Sequence, residues 1–591
     1  MMRKLKISSV LLLLIGLTTS YGQVSDKAMN KYANTPNETI YVHHNGSLFF
    51  TGEYLFYKVY CLEKHSEKFS RLSKVGYVEL IGQDQDVVFR HKIVLEKGKG
   101  DSNFFIPNSI PSGNYKLVAY TQWMKNQGVD GYFQSDISIV NPYRGNQLPI
   151  LNNNSEETVV SIKTSSEMIN PIIYKGANGY SEFKLSLNGS TFKRRTEIQL
   201  TLENTIRERG FGNYSISVKK IDELPTERNH SAMSYRKEMT KVSTELAQPL
   251  QYIPEDAGFI LTGRVYDMQT GIPAIGKDVA ISITGDNFFF KVATTNTAGT
   301  FSFSLDHYYV MDSAFLQLVD DNRDNFSIII DPFEISDYSK VSYASFKISE
   351  SMEDIIKKRS IYNQIENGYF SVKPDTVQPL PLKKPFTGYE RFTRYNLDDY
   401  TRFNTMEEVF REIIKAVWTA GDENDKRLVK VFNNEFSAPS NDPPLLFIDG
   451  VFVADPNDFL AYNALKVQQV SMIRNMYHFG SKDYQGVILI ETISGDYRNP
   501  SLGDFTTEVT LFPTQPKKQY YFQNYSINIE NSRIPDFRSQ LLWEPSVVMT
   551  SSNNNFTFFT SDNVGQYEVA LEGFTKDGRP VSLRKVFNVV E

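Results

Sequence analysis

Between Pro443 and Thr492 the chain alternates short apolar runs with strong turn signals, a spacing that leaves room for little besides a small closed α+β unit. Leu445 to Ile448 is apolar, Asp449-Gly450 is a strong turn dipeptide and Val451-Phe452-Val453 resumes the strand, which predicts a tight hairpin. Asp455, Asn457 and Asp458 then offer capping side chains ahead of Phe459, Leu460, Leu465 and Val467, which predicts a helical turn or short helix. Val470 to Ile473 reads as a strand, Phe479-Gly480-Ser481 as a turn, and Gly486 to Ile490 as a buried strand. The predicted order is strand, turn, strand, helix, strand, turn, strand.

Three ordered blocks here, Phe447 to Val451, Phe479 to Ser481 and Gly486 to Ile490, resemble the plug domain of TonB-dependent outer-membrane receptors. Such receptors follow the plug with a 22-stranded barrel, which at about 10 residues per strand needs over ~200 residues. Fewer than 100 residues follow Gly495. The expectation is therefore a plug-like module without a barrel of its own.

A chain of 591 residues is too long for one core. Aromatic residues at 13% with abundant Thr, Ser and Asn favour mostly β structure. Arg3, Lys4 and Lys6, the apolar Val10 to Leu17 and the small residues near Gly22 read as a secretory signal peptide over 1–22, with Gln23 as the new N-terminus. No cysteine closely follows that apolar core, so a lipoprotein anchor is not indicated. Removal takes the formal charge from -6 to -9, without a basic stripe, which argues against nucleic acid as a partner. No further run approaches a membrane span, so no transmembrane segment is expected after signal removal. The single Cys61 precludes an intramolecular disulfide and reads as a buried free thiol rather than a nucleophile.

Taken in order, residues 38–142 show about seven short strands separated by turns, the pattern of a β-sandwich. Ile40-Tyr41-Val42, Thr51-Gly52-Glu53 and Pro111 to Tyr115 resemble a macroglobulin-type domain, but Cys61 is followed by Leu62-Glu63-Lys64, so thioester chemistry does not carry over. A second β-rich unit is read over 156–222, and the polar stretch Pro225 to Pro254 is expected to wander over the surface. Over 257–337, Leu261 to Asp267, Gly271 to Ala274 and Asn296 to Phe301 resemble the carboxypeptidase-regulatory-like fold, modules of which commonly precede plug domains in exported proteins of the Bacteroidota. Ser351 to Lys358 and the stretch around Glu366 are helix-compatible. Thr405 with Glu408, followed by Met406, Val409, Phe410, Ile413, Ile414 and Val417 at helical spacing, predicts the best helix of the chain, leading the plug-like unit of 396–495. Residues 505–591 read as an immunoglobulin-like sandwich closing the chain. The fold class is thus mostly β: tandem immunoglobulin-like and macroglobulin-like β-sandwiches with one small α+β plug-like domain.

No catalytic, phosphate-binding or zinc motif appears, so neither enzyme activity nor a cofactor is expected. His43 and His44 would point to opposite faces of a strand, which disfavours a shared metal. Asp320, Asn322, Asp324 and Asp331 sit at offsets similar to a calcium loop, but Asn325 replaces the turn glycine and Ile328 to Ile330 reads as strand. Asp398-Asp399 reads as a helix start. Phe447, Phe452, Tyr477 and Phe479 lie near turns, where they fill a small core or meet a partner, the core reading being favoured. The resemblance implies an accessory or scaffold protein, periplasmic or held at the outer membrane, that binds an outer-membrane barrel, transporter or translocon. Asp449, Gly450, Phe452, Tyr477, Phe479, Gly480 and Ser481 are its candidate contact residues. The alternative is a protein that binds exported polypeptides or cell-surface proteins through its sandwiches.

Overall fold

The computed structural model describes residues 31–591 except 33, 152–181, 227–228, 240–249, 285–288, 306–312, 320–321, 379–391, 422–426, 434–441, 456, 480–481, 498–502 and 528–532. The signal-peptide reading of 1–22 lies outside them. The protein is mostly β, built from three sandwiches and one α+β unit.

The first sandwich packs the sheet of Glu38–His44, Tyr54–Glu63 and Lys99–Phe105 against a five-stranded sheet running from Leu48–Phe50 through Phe133–Val140, Gly113–Tyr120 and Val75–Gly82 to Val87–Val94. Alternating aromatic and β-branched residues supply its core, with Tyr57, Tyr60, Tyr77, Tyr120 and Trp123 fully buried. Cys61, opposite Ile40, is buried and free. Burial and the nearby Glu38 carboxylate push its thiol well above the usual range, so it holds no ready thiolate.

The second sandwich corrects the reading of 156–222 and 505–591 as separate units. Its larger sheet runs Thr191–Lys193, Pro580–Val590, Gly565–Thr575, Gly212–Lys220, Gln540–Met549, and the smaller runs Asn553–Phe559, Glu197–Asn204, Phe183–Leu187. Gly212–Lys220 lies between two C-terminal strands, with Ile216 opposite both Glu544 and Leu571. Ile198, Leu200 and Leu202 from the first half share one core with Val569, Leu571 and Phe587 from the second. Each half has four strands and an apolar face, and neither can bury that face without the other.

The third sandwich has the same construction. Thr300–Leu305, Phe259–Asp267 and Phe326–Ile330 form one sheet, and Phe289–Thr294, Asp278–Ile283, Ser313–Leu318 and Thr506–Thr510 the other. Thr506–Thr510 was read as part of the final domain, but it pairs along Ser313–Leu318. The α+β unit is therefore inserted into the third sandwich, and the third sandwich into the second.

Two connecting segments are more ordered than their polarity predicts. Ala232–Met239 is a helix whose Tyr235 packs between Tyr41 and Phe133, with ring centroids 5.5 Å from each, so the stretch 225–254 does not simply wander. One aromatic stripe suffices to anchor an otherwise polar helix. Glu353–Gly368 is a continuous helix where two helix-compatible patches were read. Its Arg359 donates to Glu53 of the first sandwich at 2.8 Å and to Asp222, which follows the second sandwich's central strand, at 2.6 Å, tying both to the helix.

Candidate functional site

The α+β unit holds a mixed sheet in the order Thr393–Asn396, Val467–Phe479, Lys482–Thr492, Leu445–Ile448, Val451–Val453. Leu445–Ile448 runs parallel to the Val487–Ile490 stretch and antiparallel to Val451–Val453, as the apolar run and Asp-Gly turn predict. Asn457–Leu460 is the short helix. Met406–Glu412 starts on a complete capping box, Thr405 Oγ1 accepting from the Glu408 N–H and Glu408 accepting from the Thr405 N–H at 3.0 Å. Those bonds hold the Glu408 carboxyl below the usual range. The helix ends sooner than its spacing predicts, because Val417–Gly421 pairs as a hairpin with Arg427–Val431. Val417 is buried and Trp418 exposed, the alternation of a strand rather than a helix stripe.

The predicted contact residues fall into two groups, and both already have partners within the chain. Asp449 and Gly450 form the hairpin turn at φ 47° and 85°, the left-handed pair that a two-residue hairpin requires. Asp449 turns its carboxylate inward, accepting from the Thr492 N–H at 2.8 Å and the Tyr497 N–H at 2.9 Å. Phe452 is 1% exposed and packs with Phe447 against Phe290 of the third sandwich, its ring 4.9 Å from Phe290. Phe479 lies 5.2 Å from the same ring, and Tyr477 borders that cluster. Ser282 Oγ accepts from the Phe452 N–H at 3.0 Å and Gln317 Nε2 donates to its carbonyl at 2.6 Å, so the edge strand is capped from the third sandwich. The aromatic positions thus meet a sandwich of the same chain rather than a free surface. Gly480 and Ser481 lie outside the described residues.

Besides Tyr400, Leu465, Met476 and Ile493, the unit leaves exposed the outer face of the hairpin Val417–Gly421/Arg427–Val431. Trp418 is 48% and Leu428 38% exposed, on one face because Trp418 pairs with Lys430 and Ala420 with Leu428. The Lys430 ammonium stands 6.0 Å from the Trp418 ring centre, and Arg427 pairs with Glu407 at 3.2 Å. This face was missed because the helical stripe was carried as far as Val417. The β-branched and aromatic run Val417-Trp418-Thr419 was the available signal.

The remaining candidates are held structurally. His43 and His44 point apart, His43 Nδ1 to Ser215 Oγ at 2.6 Å and His44 Nε2 to Ser135 Oγ at 2.9 Å. Asp398 pairs with Arg402, and Asp331 accepts from Thr262 Oγ1 at 2.8 Å. Asp320 lies outside the described residues. Among the described residues no three His, Cys, Asp or Glu side chains are placed to hold a metal, and no helix is long and apolar enough to cross a membrane.

No protein-family model and no curated protein matches the chain. Among solved structures, an Escherichia coli alpha-2-macroglobulin activated by porcine elastase aligns over 94% of this chain and 44% of its own, at 10% identity and TM-score 0.24. A Salmonella alpha-2-macroglobulin reacted with methylamine aligns over 94% of this chain and 39% of its own, at 8% identity and TM-score 0.22. A tetra-tandem repeat from the extending region of a large adhesion protein aligns over 94% and 100%, at 8% identity and TM-score 0.14. The chain spans about two fifths of the length of the macroglobulins it is similar to. At these scores the likeness carries nothing about activity or partners.

Proposed function

We propose that this chain is a non-catalytic exported binding protein that docks on an outer-membrane barrel or translocon component through its α+β unit. The observation that carries the reading is the exposed Trp418–Leu428 face, on a unit whose Phe447, Phe452 and Phe459 are enclosed by its own core and the third sandwich. A half-exposed tryptophan beside an exposed leucine on a paired hairpin is the kind of anchor a partner buries. The contact therefore moves from the Asp449–Gly450 turn and Phe452 to the hairpin of 417–431.

The test is affinity purification of C-terminally tagged protein from gently solubilised outer membrane. The full chain is compared with a deletion of 400–495 and with the double variant Trp418→Ala, Leu428→Ser. A barrel or translocon protein that co-purifies with the full chain and is lost from both variants supports the reading. Retention of that protein by the double variant moves the contact elsewhere. A second reading, capture of exported polypeptides or cell-surface proteins by the sandwiches, is favoured by the edge strand Asn553–Phe559, which pairs only with Glu197–Asn204 among the described residues. It predicts partners unchanged by the 400–495 deletion.

A further inference from the structure

Where the first two sandwiches meet the helix Glu353–Gly368, they enclose a cleft of ≈ 180 Å³ remote in sequence from the α+β unit. Its walls come from the turn and strand around Gly52 to Phe56, the strand start at Gln540 to Trp543, the C-terminal end of the helix, and the strap formed by Thr376–Val377 with Lys518–Gln519.

Rings line it in a continuous series. Trp543 stacks on Phe56 at 5.8 Å and 27°, Phe56 on Tyr54 at 5.7 Å and 27°, and Tyr54 on Phe370 at 6.1 Å and 19°. The series emerges at the surface, where Phe370 is 48% exposed and Phe105, 5.1 Å from Tyr54, is 41% exposed.

The charges of the cleft cancel. Three carboxylates, Glu53, Glu366 and Asp375, face three cations, Lys219, Lys373 and Arg538. Most are already committed: Glu53 to Arg359, Glu366 to Lys373 at 2.7 Å, and Arg538 to Asp536 at 2.7 Å. A charged ligand would find no net counter-charge, and at every charge but Lys219 and Asp375 it would have to displace an existing pair.

The uncommitted polar atoms are of both kinds. Asn363 and Asn367 each spend an amide N–H on the first sandwich, on Glu53 and on the Gly52 carbonyl, both at 3.1 Å. Their carbonyl oxygens accept from no protein group among the described residues. Among the described residues, Lys219 Nζ, over the Phe49 ring at 4.6 Å, meets no hydrogen-bond acceptor, and Trp543, 6% exposed, has none for its indole N–H. Neutral hydroxyls, which donate and accept at one atom, satisfy both kinds. An aromatic or aliphatic peptide side chain would leave all four groups unpaired.

We infer that this cleft binds a neutral saccharide, one pyranose ring lying against the aromatic series with its hydroxyls on Asn363, Asn367 and Lys219. The volume falls below the ~300 Å³ typical of pockets that enclose a drug-sized ligand. The cleft therefore takes one ring, and the chain of sugars continues over Tyr54, Phe370 and Phe105 with its apolar C–H faces on theirs.

Calorimetric titration of the full chain with neutral trimers of glucose, mannose, galactose and N-acetylglucosamine tests this, beside a trimer of galacturonic acid and a blocked Phe-containing tripeptide. The expected result is binding of at least one neutral trimer, weakened about tenfold or more by Phe370→Ala and by Tyr54→Ala. Ile272→Ser, on the third sandwich, should leave it unchanged. Phe370 is exposed, so its variant reads binding rather than folding. The inference is overturned if no neutral trimer binds, if only the acidic trimer or the tripeptide binds, or if binding survives both aromatic variants.

Discussion

At the scale of single residues, three buried histidines add a pH dependence to the stability of this protein. Desolvation pushes His44 and His91 down to about 4, and His43 is pushed well below its usual value by burial and the Arg584 charge. Well above their ordinary value of 6.5 none is charged in the folded or the unfolded chain. As pH falls from there toward about 4, the unfolded chain takes up protons that the folded one refuses, so stability falls with pH in that window. Each of His44 and His91 contributes on the order of 3 kcal/mol by the lower end. His91→Gln, which keeps a polar partner for Tyr57 Oη, now 2.6 Å from His91 Nδ1, should flatten that slope by about one proton. Urea midpoints from pH 7 to 4.5 measure it, and a slope identical to the parent's would remove His91 from the account. At the same scale Cys61 behaves as the sequence suggested, because a thiol at the centre of a strand facing the core is stripped of the solvent that reactivity needs.

At the scale of elements, the Asp449-Gly450 turn shows how a correct local reading can lead to the wrong role. The dipeptide was read as a hairpin turn, and both residues adopt the positive φ that such a turn demands. Whether the aspartate faces a partner or its own fold depends on Thr492 and Tyr497, more than 40 residues on, whose N–H groups it accepts. Asp449→Ala removes those acceptors and places a Cβ residue without a local hydrogen bond in left-handed backbone, for a loss of about 2–4 kcal/mol. Asp449→Asn, which tolerates that backbone, should lose less. Hydrogen exchange at the Thr492 and Tyr497 amides is the readout, and unchanged protection in the alanine variant would show the bonds to be dispensable. The helix of Met406–Glu412 shows the complementary case: its start is a local capping box, whereas its end is decided by hairpin partners at Arg427–Val431.

The whole molecule is a set of nested insertions, and its stability follows from that. A chain ending at Ser539 lacks Gln540–Met549, Asn553–Phe559, Gly565–Thr575 and Pro580–Val590, half of the second sandwich, and exposes Ile198, Leu200, Ile216 and Val218. Such a chain should aggregate or show a collapsed second sandwich while the first keeps the part of its core that does not rest on Phe574, with solubility recovered by co-expressing 540–591. A monodisperse, fully folded truncation would contradict the shared core. The sequence by itself determined the class and the local elements: alternation specified most strands, Asp-Gly the hairpin, and Thr405 with Glu408 the helix start, because each depends on neighbours a few residues away. Only the tertiary structure decided which strands complete which sheet. The sequence cannot say that Gly212–Lys220 takes partners more than 300 residues later, since any apolar strand face satisfies alternation and the match is one of shape and register. The two exposed surfaces follow the same division: Trp418 and Leu428 lie in strands that were not read from the sequence, and that their face stays open is a property of packing. The cleft is assembled from five distant segments, and no window of the sequence contains it.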